Sequence, residues 1–198
     1  MKAKVLVVAP EGGGNHLLQG LLRTHPSLKK EDVIGTSLAS GRLGYWISGP
    51  VEDRYKGLGF WMPVQYSEKA DKVVLSTRSP VHAAYSAWVR FGECTNGGLE
   101  TCIWYQFIAP QYIKMLELSP YPTITTSYEK LVKDTEGELN KIASFLGLST
   151  NWRHADFSTK PDYDWGSVIN RNDDRWKEDK TFCETWDKYK EMFDVLTT

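Results

Sequence analysis

What this chain has little of already narrows it. Cysteine is scarce: Cys94, Cys102 and Cys183 are an odd number with no metal-ligand spacing, so neither a disulfide framework nor a zinc site can organise the fold. That usage favours a reducing, cytoplasmic setting, although Cys94 and Cys102 flank Asn96-Gly97-Gly98 and can still pair across a loop. Excess charge is absent as well. With 24 basic and 25 acidic residues the chain lacks the basic face of a general nucleic-acid binder. No apolar run approaches the ~20 residues of a membrane span, and the N-terminus shows no apolar core of a secretory signal. There is no internal repeat and no low-complexity linker. A length of 198 residues with 41% apolar content is then most simply one domain, 1–198, large enough for a three-layer core.

Against that background the stretch from Lys4 to Pro26, KVLVVAPEGGGNHLLQGLLRTHP, stands out. Val5 to Ala9 is an uninterrupted apolar run, the pattern of a strand buried on both faces of a parallel sheet. Pro10 ends its ladder, and Gly12, Gly13 and Gly14 permit a tight turn. Leu17, Leu18, Leu21 and Leu22 then form one apolar face of a helix that begins near Gly14 or Asn15 and is closed by Pro26. Strand, glycine turn and helix N-terminus in that order aim backbone N–H groups and the positive end of a helix dipole at one spot, an anion cradle. Neither standard phosphate motif is present. No Gly-Lys-Ser/Thr follows the glycines, and no glycine falls three residues after Gly14. A plain strand-to-helix turn is the alternative.

Further along, Val33-Ile34 reads as a short strand leading into Gly35-Thr36-Ser37. Residues 38–70 are rich in glycine and aromatics with little periodicity, either a substrate-covering region or an irregular cap on the core. Lys72 to Thr77 is a second buried strand, followed by a helix with Ser79 as N-cap and Pro80 in first position. Val81, Tyr85 and Trp88 give that helix a buried face. Arg78 sits at the carboxyl end of this strand, the edge at which open α/β sheets bind ligands. Thr101 to Leu118 is helical, with Pro110 expected to kink or split it. Pro122 to Ser127 is another strand. Thr135 and Glu138 read as a capping box for a helix that buries Leu139, Ile142, Ala143 and Leu146 and stops at Gly147. Residues 149–175 are polar and irregular. Thr181 and Glu184 cap a last helix whose Phe182, Trp186, Tyr189 and Phe193 have core spacing. Strands alternating with helices specify an α/β fold, three layers around a central parallel sheet.

Four of these stretches, in order, resemble the sulfotransferases that use 3′-phosphoadenosine 5′-phosphosulfate (PAPS). Pro10-Glu11-Gly12-Gly13-Gly14-Asn15-His16 occupies the place of the family's phosphosulfate loop, and Leu21-Leu22-Arg23-Thr24-His25-Pro26 resembles the end of its first helix. Val73 to Ser86 is similar to its strand-Arg-Asp-Pro segment, with a serine eight residues after the arginine. Ser127-Tyr128-Glu129-Lys130-Leu131 with Phe145-Leu146-Gly147-Leu148 is similar to its Tyr-Glu-Asp-Leu and Phe-Leu-Gly pair, and Trp176-Lys177 is a weaker echo of its C-terminal Trp-Lys. The resemblance implies a P-loop-like sulfotransferase fold. It also implies PAPS as cosubstrate, 3′,5′-diphosphoadenosine (PAP) as product, a hydroxyl or amine acceptor, and no metal. On this likeness Gly12, Gly13, Gly14 and Asn15 hold the 5′-phosphate, His16 packs on adenine, Arg78 and Ser86 bind the 3′-phosphate, and Tyr128 lies near the adenine.

Two departures accompany the matches. The family's loop lysine or arginine is Glu11 here, and Gly35-Thr36-Ser37 stands where many relatives carry a catalytic glutamate. Sulfuryl transfer needs a base for the acceptor proton and positive charge at the leaving group. Glu11 and His16 are the catalytic candidates, with Arg42 or Lys56 as substitute cation. His25 and His82 are expected to be structural, and His154 has no assigned role. Three readings follow: an active sulfotransferase with an altered loop, an inert nucleotide-binding module of the same fold, or an atypical phosphotransferase.

Overall fold

The computed structural model describes residues 3–10, 12–37, 70–91, 98–117, 122–150, 152 and 174–197. In chain order they form β1 (Ala3–Ala9), α1 (Asn15–Leu22), β2 (Val33–Ser37), β3 (Ala70–Thr77), α2 (Pro80–Phe91), α3 (Gly98–Glu117), β4 (Thr123–Ser127), α4 (Tyr128–Lys133), α5 (Thr135–Leu146) and α6 (Lys180–Thr197). Short 3-10 turns lie at Lys30–Asp32 and Asp174–Glu178.

The four strands make one parallel sheet in the order β2-β1-β3-β4. The apolar run of β1 is continuous because both its faces are covered. Val5 and Val7 point to one side, where Leu17, Leu18, Leu21 and Leu22 of α1 pack with Leu131 of α4 and with Leu139 and Ile142 of α5. Burying each such leucine is worth about 1.5–3 kcal/mol. Leu6 and Val8 point to the other side with Val73 and Leu75, under Ile113 of α3. On that side α2, α3 and α6 are joined through Ala84, Leu99, Ile103 and Phe182, with Tyr85, Trp88, Trp186 and Tyr189 around them. The result is the three-layer α/β arrangement read from the sequence. Among the described residues no helix is long and apolar enough to cross a membrane.

Local details differ from the sequence reading in four places. β2 runs through Gly35-Thr36-Ser37 rather than stopping at Ile34, because parallel pairing with β1 continues to Ala9 opposite Ser37. Pro110 does not split α3. Ile103 and Phe107 before it and Ile113 after it pack on neighbouring layers, and this tertiary packing outweighs one missing backbone bond. The N-cap of α5 is Asp134, whose carboxylate accepts from Gly137 N–H at 2.9 Å, while the Thr135 hydroxyl donates to Leu131 O. The start of α6 is likewise capped by Asp179, which accepts from Phe182 N–H at 2.9 Å. In both helices an aspartate one or two residues ahead of the threonine makes the cap. The stop at Gly147 is as expected: its φ is +76°, and Leu148 N–H to Ala143 O with Gly147 N–H to Ser144 O forms a Schellman end. Residues 38–69, 151 and 153–173 lie outside the described residues, and with them Arg42, Lys56, His154 and most of both irregular segments. Glu11, Cys94 and the Phe193 side chain lie outside them too.

Glu138, expected in a cap, is instead a buried link between α5 and the sheet. Its carboxylate accepts from Thr126 Oγ1 at 2.7 Å and from Lys141 Nζ at 2.9 Å. Burial pushes this carboxyl up, but the bonds from Lys141 and Thr126 outweigh it and hold the pKa below the ordinary glutamate value. A group depressed in the folded state stabilises above its unfolded pKa, and that contribution disappears as pH falls through the folded value. Glu138→Gln is therefore expected to cost about 1–2 kcal/mol at neutral pH. Its gap to wild type should narrow as pH drops below about 4. Urea denaturation at both pH values checks this, and a gap that does not change with pH would rule out the carboxylate as its source.

Candidate functional site

The strand order places a crevice before any side chain is considered. From β1 the chain goes to one side to build β2, then crosses to the other side to build β3 and β4. The carboxyl ends of β1 and β3 therefore flank the topological switch point, where open α/β sheets bind ligands. β1 leads there into the glycine loop, β3 into Arg78, and β4 into Tyr128.

The loop is held from two sides. Gly13 N–H donates to Pro10 O at 2.8 Å, closing the turn. Gly12 has φ +73° and Gly14 φ +89°, values that disfavour any side chain. A Cβ on Gly12 would stand 2.1 Å from Ala83 O in α2, and one on Gly14 2.9 Å from Cδ2 of Tyr128. The loop thus lies flat between α2 and the Tyr128 ring.

Its carbonyls are held as well. The Arg78 guanidinium donates to Gly12 O at 3.0 Å, and the Ser76 hydroxyl, 1% exposed, donates to Gly13 O at 2.8 Å. Gly14 O accepts from Leu18 N–H at 3.0 Å, the first bond of α1. Across a trans peptide the N–H points opposite to the C=O. Holding the carbonyls of Gly13 and Gly14 therefore directs the N–H groups of Gly14 and Asn15 away from β3 and out of the helix start. That is the geometry of an anion nest, at a helix end whose cap residue is glycine and carries no side chain of its own. The neighbouring N-terminus, that of α2, differs: Glu129 accepts from Ser79 N–H at 2.8 Å, so a carboxylate already sits there.

Arg78 also lies over the Tyr128 ring, 4.3 Å from its centroid. This contact keeps the guanidinium charge beside the loop. The residues singled out in the sequence thus divide. Gly12, Gly13, Gly14, Asn15, Arg78 and Tyr128 come together, with Tyr128 beneath Arg78 and against Gly14. His16 is exposed on the first turn of α1. Ser86 is half-buried six residues into α2, about 9 Å along its axis from Pro80. Arg78 itself turns back to the loop and the Tyr128 ring. Asn15 Oδ1 accepts from Gln19 Nε2 at 2.7 Å.

Among the described residues two further histidines have structural places. His25 is 1% exposed; its Nδ1 accepts from Ser27 N–H at 3.1 Å, so Nε2 carries the proton donated to Ser149 O at 2.9 Å. It ties the end of α1 to the segment after α5. His82 lies edge-on to Trp176, with Nε2 3.7 Å from an Asp174 oxygen. Among the described residues no cluster of three or more His, Cys, Asp or Glu is gathered as a metal site.

Sequence reasoning missed Ser76, Glu129 and Gln19. A signal existed for Ser76. It is polar within an apolar strand and two residues before Arg78, hence on the same side of β3.

No protein-family model matches the chain, and no curated protein matches it in sequence. Solved structures do. A sulfotransferase from Alicyclobacillus acidocaldarius superposes with a TM-score of 0.51 at 15% identity, over 98% of this chain and 96% of that one. The sulfotransferase domain of the curacin biosynthetic pathway gives 0.54 at 13% identity, over 89% and 91%. A mouse sulfotransferase in complex with PAP gives 0.52 at 15% identity, over 76% of this chain and 60% of its own length. The chain has the sulfotransferase fold, with its parallel sheet between helical layers.

Proposed function

We propose that this protein is a PAPS-dependent sulfotransferase acting on a hydroxyl or amine acceptor. The observation that carries the reading is the bond from Ser76 to the Gly13 carbonyl, which turns the Gly14 N–H outward at the switch point, while Arg78 holds the Gly12 carbonyl of the same loop. The fold's likeness to sulfotransferases, one of them solved with PAP, supports the choice of nucleotide. PAPS, when bound, supplies the sulfuryl group. In this reading the outward N–H groups of Gly14 and Asn15, in a turn shaped by Gly12 and Gly13, hold the 5′-phosphate, as a helix N-terminus suits an anion. Arg78 offers its positive charge to the 3′-phosphate, with the Ser86 hydroxyl as a further donor. Tyr128 keeps Arg78 beside the loop and borders the adenine, and exposed His16 can pack on the base or take the acceptor proton. Residues 38–70 are proposed to cover the acceptor, and the cytoplasm is the proposed compartment.

Arg78→Ala should cost PAP about 2–3 kcal/mol of affinity, of the order of 30–150-fold. Adenosine 5′-phosphate, which lacks the 3′-phosphate, should lose less, and only through the loosened loop. Titration calorimetry with both ligands checks this. Equal losses would assign Arg78 to the loop alone, and a wild type that binds neither would remove the nucleotide reading. The presence of Glu11 in the loop favours one second reading, a module that binds the nucleotide without transferring sulfate. PAP binding with no transfer to a panel of hydroxyl and amine acceptors would identify it.

A further inference from the structure

α1 carries a polar stripe that its packing does not require. Asn15, Gln19 and Arg23 follow one another at four-residue spacing, on one side of the helix. Gln19 is 5% exposed among buried leucines, where an apolar residue would avoid desolvating an amide. We propose that Gln19 and Arg23 are positioning residues that decide which end of the Asn15 amide faces the anion cradle; this rests on the nucleotide-binding reading above.

The orientation follows from donor and acceptor counting. Arg23 donates to Val33 O at 2.7 Å and, through the same nitrogen, to Gln19 Oε1 at 3.3 Å. A guanidinium has donors only, so the oxygen end of Gln19 must face it. That leaves Gln19 Nε2 to donate to Asn15 Oδ1, 2.7 Å away. With its oxygen engaged, the Asn15 amide turns its two N–H donors away from Gln19, toward the first turn of α1 and the outward N–H groups of the loop. An unfixed Asn amide can take either orientation. The opposite one would set a carbonyl dipole against an anion, so the relay converts an indifferent side chain into a donor.

β2 leaves room for this relay. A Cβ on Gly35 would lie 2.1 Å from Gln19 Nε2 and 2.5 Å from Asn15 Oδ1. Gly35 is an ordinary strand residue, so close approach of the amides, and no unusual φ, explains glycine there. The stretch Gly35-Thr36-Ser37 thereby acquires a role in the site other than supplying a carboxylate.

The alternative is that the stripe only ties α1 to β2 through Arg23 and Val33. Gln19→Glu separates the two, because a glutamate still accepts from Arg23 yet has no donor for Asn15. The Asn15 amide must then flip, giving N–H to the new carboxylate and turning its oxygen toward the cradle. The expected result is an unchanged or raised thermal midpoint with PAP affinity lowered about ten- to thirtyfold. Gln19→Met, which frees the amide without adding charge, should lose about three- to fivefold. In an Asn15→Ala background Gln19→Glu should have little further effect on PAP, since the relay acts through Asn15. Wild-type affinity in Gln19→Glu and Gln19→Met, or an equal loss with and without Asn15, would overturn the relay and leave the nucleotide reading standing. A wild type that fails to bind PAP would overturn that reading, and this role with it.

Discussion

Gly12→Ala is expected to destabilise the protein by about 3–5 kcal/mol and to abolish PAP binding. Two separable penalties meet at this position. The φ of +73° costs a non-glycine residue roughly 1–2 kcal/mol wherever it occurs. The added methyl would also stand 2.1 Å from Ala83 O, 2.9 Å from Ala83 C and 3.1 Å from Ala83 Cα. All three are backbone atoms of α2, so no rotamer change relieves the clash, and either the loop or the helix must move. Movement of the loop would pull Gly12 O away from Arg78 and undo the orientation of the cradle. Gly147→Ala supplies the control. Its φ is +76°, yet nothing lies within 4 Å of the added carbon, so it should show the conformational penalty alone. Urea denaturation of both variants measures the difference. If Gly12→Ala is no worse than Gly147→Ala, the close approach of loop and helix is wrong and the cradle argument falls with it.

That contact illustrates where sequence reading stops. The strands were legible because a parallel sheet covered on both faces writes an unbroken apolar run, as in Val5 to Ala9 and Val73 to Leu75. The glycine turn, α1 and the position of Arg78 were legible for similar local reasons. The threonine caps were misread because Asp134 and Asp179 stand one and two residues ahead of Thr135 and Thr181, and local pattern alone does not choose between such near candidates. The bonds that shape the site were not legible, since they join residues far apart in the chain: Ser76 to Gly13, Arg78 to Gly12, Glu129 to Ser79. Tyr128 shows both sides of this. Its place at the end of β4 could be read, whereas its role as the platform under Arg78 depends on how β3 and β4 pair. Gln19 looked like an ordinary helix residue until its burial and its contact with Gly35 were known.

Glu11→Lys is expected to tighten PAP by more than tenfold, with Glu11→Gln intermediate. In the sequence the residue stands between Pro10, whose carbonyl closes the loop through Gly13 N–H, and Gly12, and the proposed sulfotransferase reading has its charge act on the cradle. An anion there opposes phosphate and a cation attracts it. At about 4 Å and an effective dielectric constant of about 20 each interaction is worth roughly 4 kcal/mol. Solvent at a loop screens most of that, which still leaves a net gain above the ~1.4 kcal/mol that corresponds to tenfold. Transfer to an acceptor reports a different quantity, because positive charge at the leaving oxygen is needed only as the bond breaks. If the enzyme is a sulfotransferase weakened by Glu11, the lysine variant gains both affinity and turnover. If Glu11 is the base that takes the acceptor proton, lysine gains affinity and loses turnover, and glutamine loses turnover as well. If the chain is a binding module, affinity follows charge in all three proteins while transfer stays absent. Calorimetry with PAP and sulfate transfer to a panel of acceptors, run on wild type and both variants, separate these outcomes. An affinity that is indifferent to the charge at position 11 would place this side chain away from the cradle and remove it from the mechanism.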